Sequence, residues 1–445
     1  MKRDNFGSSF GVLVAMAGSA VGLGNLWRFP YLVGTNGGAA FIIIYLAIVF
    51  ILALPIMYSE FVIGRRAQAN VYSAFKQLAP GSKWGITGII AIICCIMIIS
   101  FYSVVGGWTI DYMVKSITMQ FASDTSALGG LFEKTVTSNW QPVLYMAAFV
   151  ILSGSILLAG VKDGIEKYSK VLMPLLFLMV VVIAVRSVTL PGAEKGIDFL
   201  FKPDFSKVTA NTVLDALGQA FFSLSVGFGI IFTYASYVKK GENIVKMSVQ
   251  TALADTVFAI IAGVAIMPAV FSFGISPGQG PGLVFVTLPY VFSQLPFGSL
   301  IGFIFFFVLF IAAITSLISL MEVVVAFMIE VFKMSRRVAL ALLTLLILCL
   351  GTLCSLSQGV LSGVKILGNN IFDLFDKTSA NILIPVGALL IVLFAGWKMK
   401  RADFIDEITS GGLHKINPLY LKVILFSVRY VAPIIITIIM VRSLI

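Results

Sequence analysis

Long stretches of apolar residues, each with at most one charge and each long enough to cross a hydrocarbon layer about 30 Å thick, recur from one end of this chain to the other. Ala40 to Met57, Ile86 to Val105, Val143 to Val161, Ile301 to Ile329 and Val423 to Val441 are five of them. In lipid every backbone N–H and C=O must be satisfied within the protein, which leaves helices and closed barrels. These segments are too long and too uniformly apolar for alternating barrel strands. Only 11% of the 445 residues are charged, against about 25% in soluble domains, so a soluble globule is excluded. The expectation is an all-α polytopic membrane protein forming a single transmembrane domain over 1–445.

Spans are predicted at 8–34, 38–66, 84–116, 142–160, 168–187, 211–238, 243–273, 297–333, 337–355, 376–398 and 418–442. Met1-Lys2-Arg3 followed by an apolar run to Ala20 resembles a signal peptide, but the helical pattern continues through Trp27-Arg28-Phe29-Pro30, so it is read as a mature first span. Eleven spans put the termini on opposite sides. With the N-terminus cytoplasmic, 20 Lys and Arg fall in inner loops and tails and 9 in outer ones, leaving Arg28 and Arg429 within spans. That asymmetry sets the orientation in a bacterial inner membrane, with the C-terminus external. It also accounts for the net charge of +11 without nucleic acid, since the basic residues form no continuous stripe. Cys94, Cys95, Cys349 and Cys354 lie in apolar runs without metal-ligand spacing and read as small core hydrophobes. The uncharged, proline-bearing stretch from Ser272 to Ser299 reads as short helices folded over an outer vestibule, and Met119 to Gln141 as an ordinary outer loop.

Two spans carry internal glycine breaks, Gly22-Leu23-Gly24-Asn25 in the first and Gly227-Phe228-Gly229 in the sixth. They are the first members of two five-span halves, 8–187 and 211–398, with 418–442 as an extra span. Matched interruptions in corresponding spans of two halves point to a midplane binding site in an inverted repeat. Unwound backbone there supplies ligands where it lines a cavity.

The run Gly18-Ser19-Ala20-Val21-Gly22-Leu23-Gly24-Asn25-Leu26-Trp27-Arg28-Phe29-Pro30-Tyr31, with Asn36-Gly37-Gly38-Ala39-Ala40-Phe41 after it, resembles the first-span signature of the neurotransmitter:sodium symporters, the family of LeuT. The likeness continues through Ser223 to Tyr237, Ala312 to Glu330 and the tenth span. It implies a LeuT-type 5+5 inverted repeat with unwound spans 1 and 6, and sodium-coupled amino-acid import by alternating access with no organic cofactor and no obligate protein partner. By this resemblance one sodium would be held by Ala20, Asn25, Ser223 and Asp255 with the substrate carboxylate. A second would be held by the carbonyls of Gly18, Val21 and Ala312 with the hydroxyls of Thr315 and Ser316; taken alone, that hydroxyl pair also reads as back-bonded within its own helix. The substrate would meet Ala20, Gly22, Leu23, Gly24, Ile98, Tyr102, Phe222, Ser223, Ser225, Phe228, Ser316, Leu317 and Leu320, the Tyr102 hydroxyl on its carboxylate. For the apolar members, ordinary helix packing is the alternative. Glycine at 22 matters because amine-transporting relatives carry aspartate there, and the apolar lining favours a hydrophobic or aromatic amino acid.

Arg28 facing lipid would cost roughly 2.5–3.5 kcal/mol on insertion scales, so it is expected to pair with Asp376 as an outer gate. Arg3 with Glu330, assisted by Tyr237 and Phe6, would be the inner counterpart; the family usually has tryptophan where Phe6 stands. Glu60 is expected to brace the unwound turn of span 1. Asp255, where chloride-dependent relatives have asparagine, implies transport without chloride, the alternative being an acid that merely caps or pairs within the bundle. Lone His414 and the absence of any Ser/His/Asp set or P-loop offer no enzyme chemistry. A proton-coupled or exchanging carrier on the same fold and a non-transporting sensor or channel are the rival readings.

Overall fold

The structure, a computed structural model, describes residues 6–121, 124–275 and 283–444. Among the described residues nine continuous helices are long and apolar enough to cross a bilayer. They are span 2 (Ala39–Ala67), span 3 (Gly85–Ile117), span 4 (Gln141–Leu158), span 5 (Val161–Val188), span 7 (Ile244–Ser272), span 8 (Gly298–Phe332), span 9 (Arg336–Leu356), span 10 (Ile371–Lys398) and span 11 (Pro418–Val441). Span 1 is a bent pair, Ser9–Ala20 and Gly24–Thr35, meeting at 46°. Span 6 consists of Ala210–Ser223 and Ile230–Ala235 with non-helical chain between. Both interruptions fall where glycine predicts them, though the break in span 1 begins at Val21, before the first glycine.

Spans 3 and 8 form the centre. In each, 72% of the most apolar window is buried by protein, against 33% for spans 5 and 11, whose exposed leucines, valines and isoleucines face lipid. This inside-out economy is expected when the solvent is itself apolar. Pro174 and Pro268 sit inside spans 5 and 7 without ending them, as neighbouring helices in lipid permit.

Four loop and packing expectations are corrected. Met119 to Gln141 is no plain loop: Thr125–Thr137 is a helix, capped by the Asp124 carboxylate accepting from the Ala127 amide at 3.2 Å. Cys349 is exposed, while Cys94, Cys95 and Cys354 are buried. Cys95 is more than filler, since its thiol donates to the Phe228 carbonyl freed by the break in span 6 (3.2 Å). Glu60 braces span 6 instead of span 1, accepting from the Gly227 amide at 2.8 Å. The described part of the outer segment, Leu283–Ser293, is short and helical; its Phe285 packs on Trp108 and Tyr112 of span 3 and on Phe132 of the added helix at 5.1–5.8 Å. Residues 276–282 of that expected lid lie outside the described residues.

At one end of the bundle Arg65, fully buried, closes three segments together. Its guanidinium pairs with the Glu407 carboxylate at 2.5 Å, donates to the Glu407 and Glu242 carbonyls and reaches Ser410 at 3.1 Å. Arg66 beside it pairs with Asp403 at 2.7 Å. The end of span 2, the loop after span 6 and the helix Arg401–Ile408 thus share one face, as three loops on the same side of the membrane should.

Candidate functional site

The two breaks meet. Where span 1 loses its helix, the freed backbone groups are taken up by side chains from other spans. Asn25 folds back so that its Oδ1 accepts from the Gly22 amide at 3.1 Å, and Gln219 of span 6 donates to the Gly24 carbonyl at 2.9 Å. Ser225 and Ser316 both donate to the Ser19 carbonyl, at 2.9 and 3.2 Å. The Tyr102 hydroxyl accepts from the Leu23 amide at 3.3 Å. In span 6 the turn passes through left-handed backbone at Ser225, Gly227 and Gly229 (φ 55°, 95° and 89°). Gly227 has a second reason to be glycine: a Cβ there would stand 2.7 Å from the Ile384 carbonyl of span 10. Such positive φ is costly for residues with a Cβ.

Between the breaks lies a cavity of about 20 Å³, room for roughly one water, lined by Ser19, Ala20, Gly22, Leu23, Gly24, Ile98, Tyr102, Phe222, Ser223, Ser225, Phe228, Ile230, Ser316 and Leu320. Twelve of these are residues the sequence nominates for a substrate. Leu317 is not among them; one residue on from Ser316 the helix has turned by about 100°, and its side chain is buried elsewhere in the core. Ser19 and Ile230 are additions, signalled only by their place beside the breaks. Its lining combines hydroxyls and unwound backbone with the apolar side chains of Ile98, Phe228, Ile230 and Leu320.

Asp255, fully buried in span 7, gathers Asn25 and Ser223, two of the other groups nominated for the first ion. Its carboxylate accepts from Asn25 Nδ2 at 2.8 Å, from the Ser223 hydroxyl at 2.8 and 3.0 Å, and from the Tyr45 hydroxyl at 3.1 Å. Tyr45 escaped the sequence reading, although a phenol within so apolar a span is itself a signal. Around the second set, Ser316 donates to the Ala312 carbonyl at 3.2 Å as well as to Ser19, and Thr315 donates to the Ile311 and Ala312 carbonyls at 3.1 Å. Gly18 packs directly over Thr315, a Cβ on it lying 3.5 Å from the threonine Cβ. Val21, buried, ends the first half of span 1.

The gate residues fall differently. Arg28 is half-buried and its guanidinium lies over the ring of Phe222, 5.5 Å from the centroid. The ion pairs among the described residues do not include one between Arg28 and Asp376. The aromatic face holds the cation instead. On the inner side Arg3 lies outside the described residues, so the Arg3–Glu330 pairing does too. Glu330 accepts from the backbone and side-chain amides of Asn70, both at 2.8 Å. Tyr237 donates to Glu322 at 2.7 Å, and Glu322 pairs with Arg336 at 2.5 Å, a buried acid the sequence reading passed over. Phe6 sits edge-on to Tyr234 and Tyr237.

Comparison with known proteins agrees with this geometry. The profile of the sodium:neurotransmitter symporter family matches residues 3–128 and 125–445. YhdH of Bacillus subtilis, described as an uncharacterized sodium-dependent transporter, is 41% identical over 413 residues, 92% of this chain and 91% of its own. An uncharacterized sodium-dependent transporter of Haemophilus influenzae is 37% identical over 460 residues, covering 100% and 98%. The crystal structure of MhsT in complex with L-phenylalanine superposes with a TM-score of 0.92 at 42% identity, covering 99% of this chain and 100% of that one. The chain therefore belongs to the sodium:neurotransmitter symporter family and has its LeuT-type fold, with two interrupted spans meeting at the centre of a multi-pass helical bundle.

Proposed function

We propose that this protein imports an amino acid into the bacterial cell by sodium-coupled symport with alternating access. The observation that carries the proposal is the central cavity, where the interrupted backbone of spans 1 and 6 meets the Tyr102 hydroxyl, bonded to the Leu23 amide, and the apolar side chains of Ile98, Phe228 and Leu320. A zwitterion with an apolar side chain matches that polarity: its carboxylate toward Gly22, Gly24 and Tyr102, its side chain toward the apolar wall. The L-phenylalanine bound to MhsT supports a hydrophobic or aromatic substrate. The cavity is too small for one as it stands, so the walls part on binding, and Arg28 leaves Phe222 to meet Asp376 when the outer path closes.

Two sodium ions are assigned, one to Ala20, Asn25, Ser223 and Asp255 with the substrate carboxylate, one to Gly18, Val21, Ala312, Thr315 and Ser316. At 100 mV each inward charge is worth about 2.3 kcal/mol, so two give about 4.6, on the order of a thousandfold accumulation before the chemical gradient is counted. Thr315 and Ser316 favour sodium over a proton at the second site, because neither titrates near neutrality. The buried Asp255 carboxylate supplies a fixed negative charge beside the first ion, hence no chloride requirement. The functional unit is the whole chain, repeats 8–187 and 211–398 with 418–442 outside them, N-terminus cytoplasmic and C-terminus external. Proteoliposome uptake of a labelled amino-acid panel, with and without an inward sodium gradient, tests the proposal: sodium-dependent accumulation is expected, and uptake driven equally by a proton gradient alone would overturn it.

A further inference from the structure

A second cavity, of about 270 Å³, opens between the end of span 10 and the first half of span 11, far along the chain from the central site. Three cationic side chains line it, Arg401, Lys422 and Arg429, with no acidic residue among the lining. Arg429 lies within span 11 and is exposed. Its guanidinium is 4.7 Å from the Trp397 ring and 5.7 Å from that of Tyr430, while Trp397 Nε1 donates to the Arg429 carbonyl at 2.9 Å. Two arginine pairings elsewhere in the bundle do include an anion: Arg65 with Glu407, and Arg336 with Glu322. Arg429 is cradled by rings alone among its described contacts, an arrangement that fixes its position without neutralising it. A charge in a membrane span calls for a counter-ion or water.

The floor of the cavity is set by Gly396, where a Cβ would stand 3.0 Å from the Arg429 Cα, so glycine lets the two spans close up behind the cations. Beside them Phe426, Val423 and Leu419 present from half to nearly three quarters of their surface outward. A basic recess flanked by tryptophan and tyrosine and continuous with a lipid-facing apolar strip matches a phosphate carrying acyl chains. We infer that this recess is a binding site for the headgroup of an anionic phospholipid. On the orientation proposed above it opens to the cytoplasmic leaflet; the site itself depends only on the chain being membrane-embedded, so it stands or falls separately from the substrate and the coupling ion.

Native mass spectrometry of the full-length protein in neutral detergent, titrated with phosphatidylglycerol or phosphatidylcholine, tests it. The wild type is expected to retain phosphatidylglycerol in preference to phosphatidylcholine. Arg401→Gln and Lys422→Gln, both at exposed positions, are each expected to weaken that retention about fivefold, the effect of roughly one basic residue at a membrane surface. Adding Arg429→Gln should abolish the preference, and the two exposed variants keep the test valid should Arg429→Gln fold poorly. Equal retention of both lipids by the wild type would reduce the recess to an apolar groove and overturn the inference. Undiminished retention by Arg401→Gln and Lys422→Gln would overturn it too. So would displacement of the lipid by an equal concentration of inorganic phosphate, which would mark a site for a free anion.

Discussion

Replacing Gly22 with aspartate puts a carboxylate beside the Ser316 and Tyr102 hydroxyls of the central cavity. A Cβ on Gly22 would press on Ser316 Oγ and lie 3.2 Å from the Tyr102 hydroxyl. Two effects follow and can be separated. The methyl-sized bulk alone, as in Gly22→Ala, overpacks a site with almost no free volume and should cost about 1–3 kcal/mol, a loss of affinity of roughly 5- to 150-fold. In Gly22→Asp a second anion would stand about 4 Å from the substrate carboxylate. With an effective dielectric of about 20 the repulsion is about 4 kcal/mol, a further thousandfold or so. The assay is equilibrium binding of the preferred labelled amino acid at saturating sodium to wild type, Gly22→Ala and Gly22→Asp, with melting temperature as a check on folding. If Gly22→Asp binds as well as Gly22→Ala, the substrate carboxylate does not approach this residue and the proposed polarity of the site is wrong.

Three further outcomes are expected. Thr315→Val combined with Ser316→Ala should abolish sodium stimulation of substrate binding in a protein that still folds, whereas unchanged sodium dependence would remove the second ion from the scheme. Asp376→Asn should depress transport far more than equilibrium sodium binding, because it acts on closure; equal loss of both would place Asp376 in the site or the fold. Initial uptake with chloride replaced by gluconate should be unchanged in the wild type and chloride-dependent in Asp255→Asn, and a strong chloride requirement in the wild type would refute the role given to the carboxylate.

The span pattern was legible because lipid enforces it: no residue composition other than an apolar run of the right length can hide a helix in hydrocarbon. Gly22 and Gly227 marked the breaks for the same reason. What escaped was direction and partnership. Glu60 is equally polar whichever neighbour it braces, and only the packing of span 2 shows that it meets Gly227. Leu317 differs from Ser316 by one step of helix rotation, which a family likeness does not resolve. Arg28 is expected at Asp376 on charge, yet the ring of Phe222, beside the break in span 6, holds it in this conformation. The polar stretch after span 3 concealed the helix Thr125–Thr137 because its cap, Asp124, looked like one more loop residue.

The clamp around Arg65 bears on how the chain is made. Arg65 and Glu407 are 342 residues apart, a gap that takes roughly 20–70 s to synthesise at 5–20 residues per second. For that interval the end of span 2 carries a guanidinium destined for full burial whose anion does not yet exist, and burying such a charge alone costs about 3–5 kcal/mol. On that cost, burial of the Arg65 end of span 2 is favourable only once the segment before span 11 is present. Closure of that face needs the chain as far as Ser410, and one truncated short of Glu407 would leave the Arg65 guanidinium without its carboxylate.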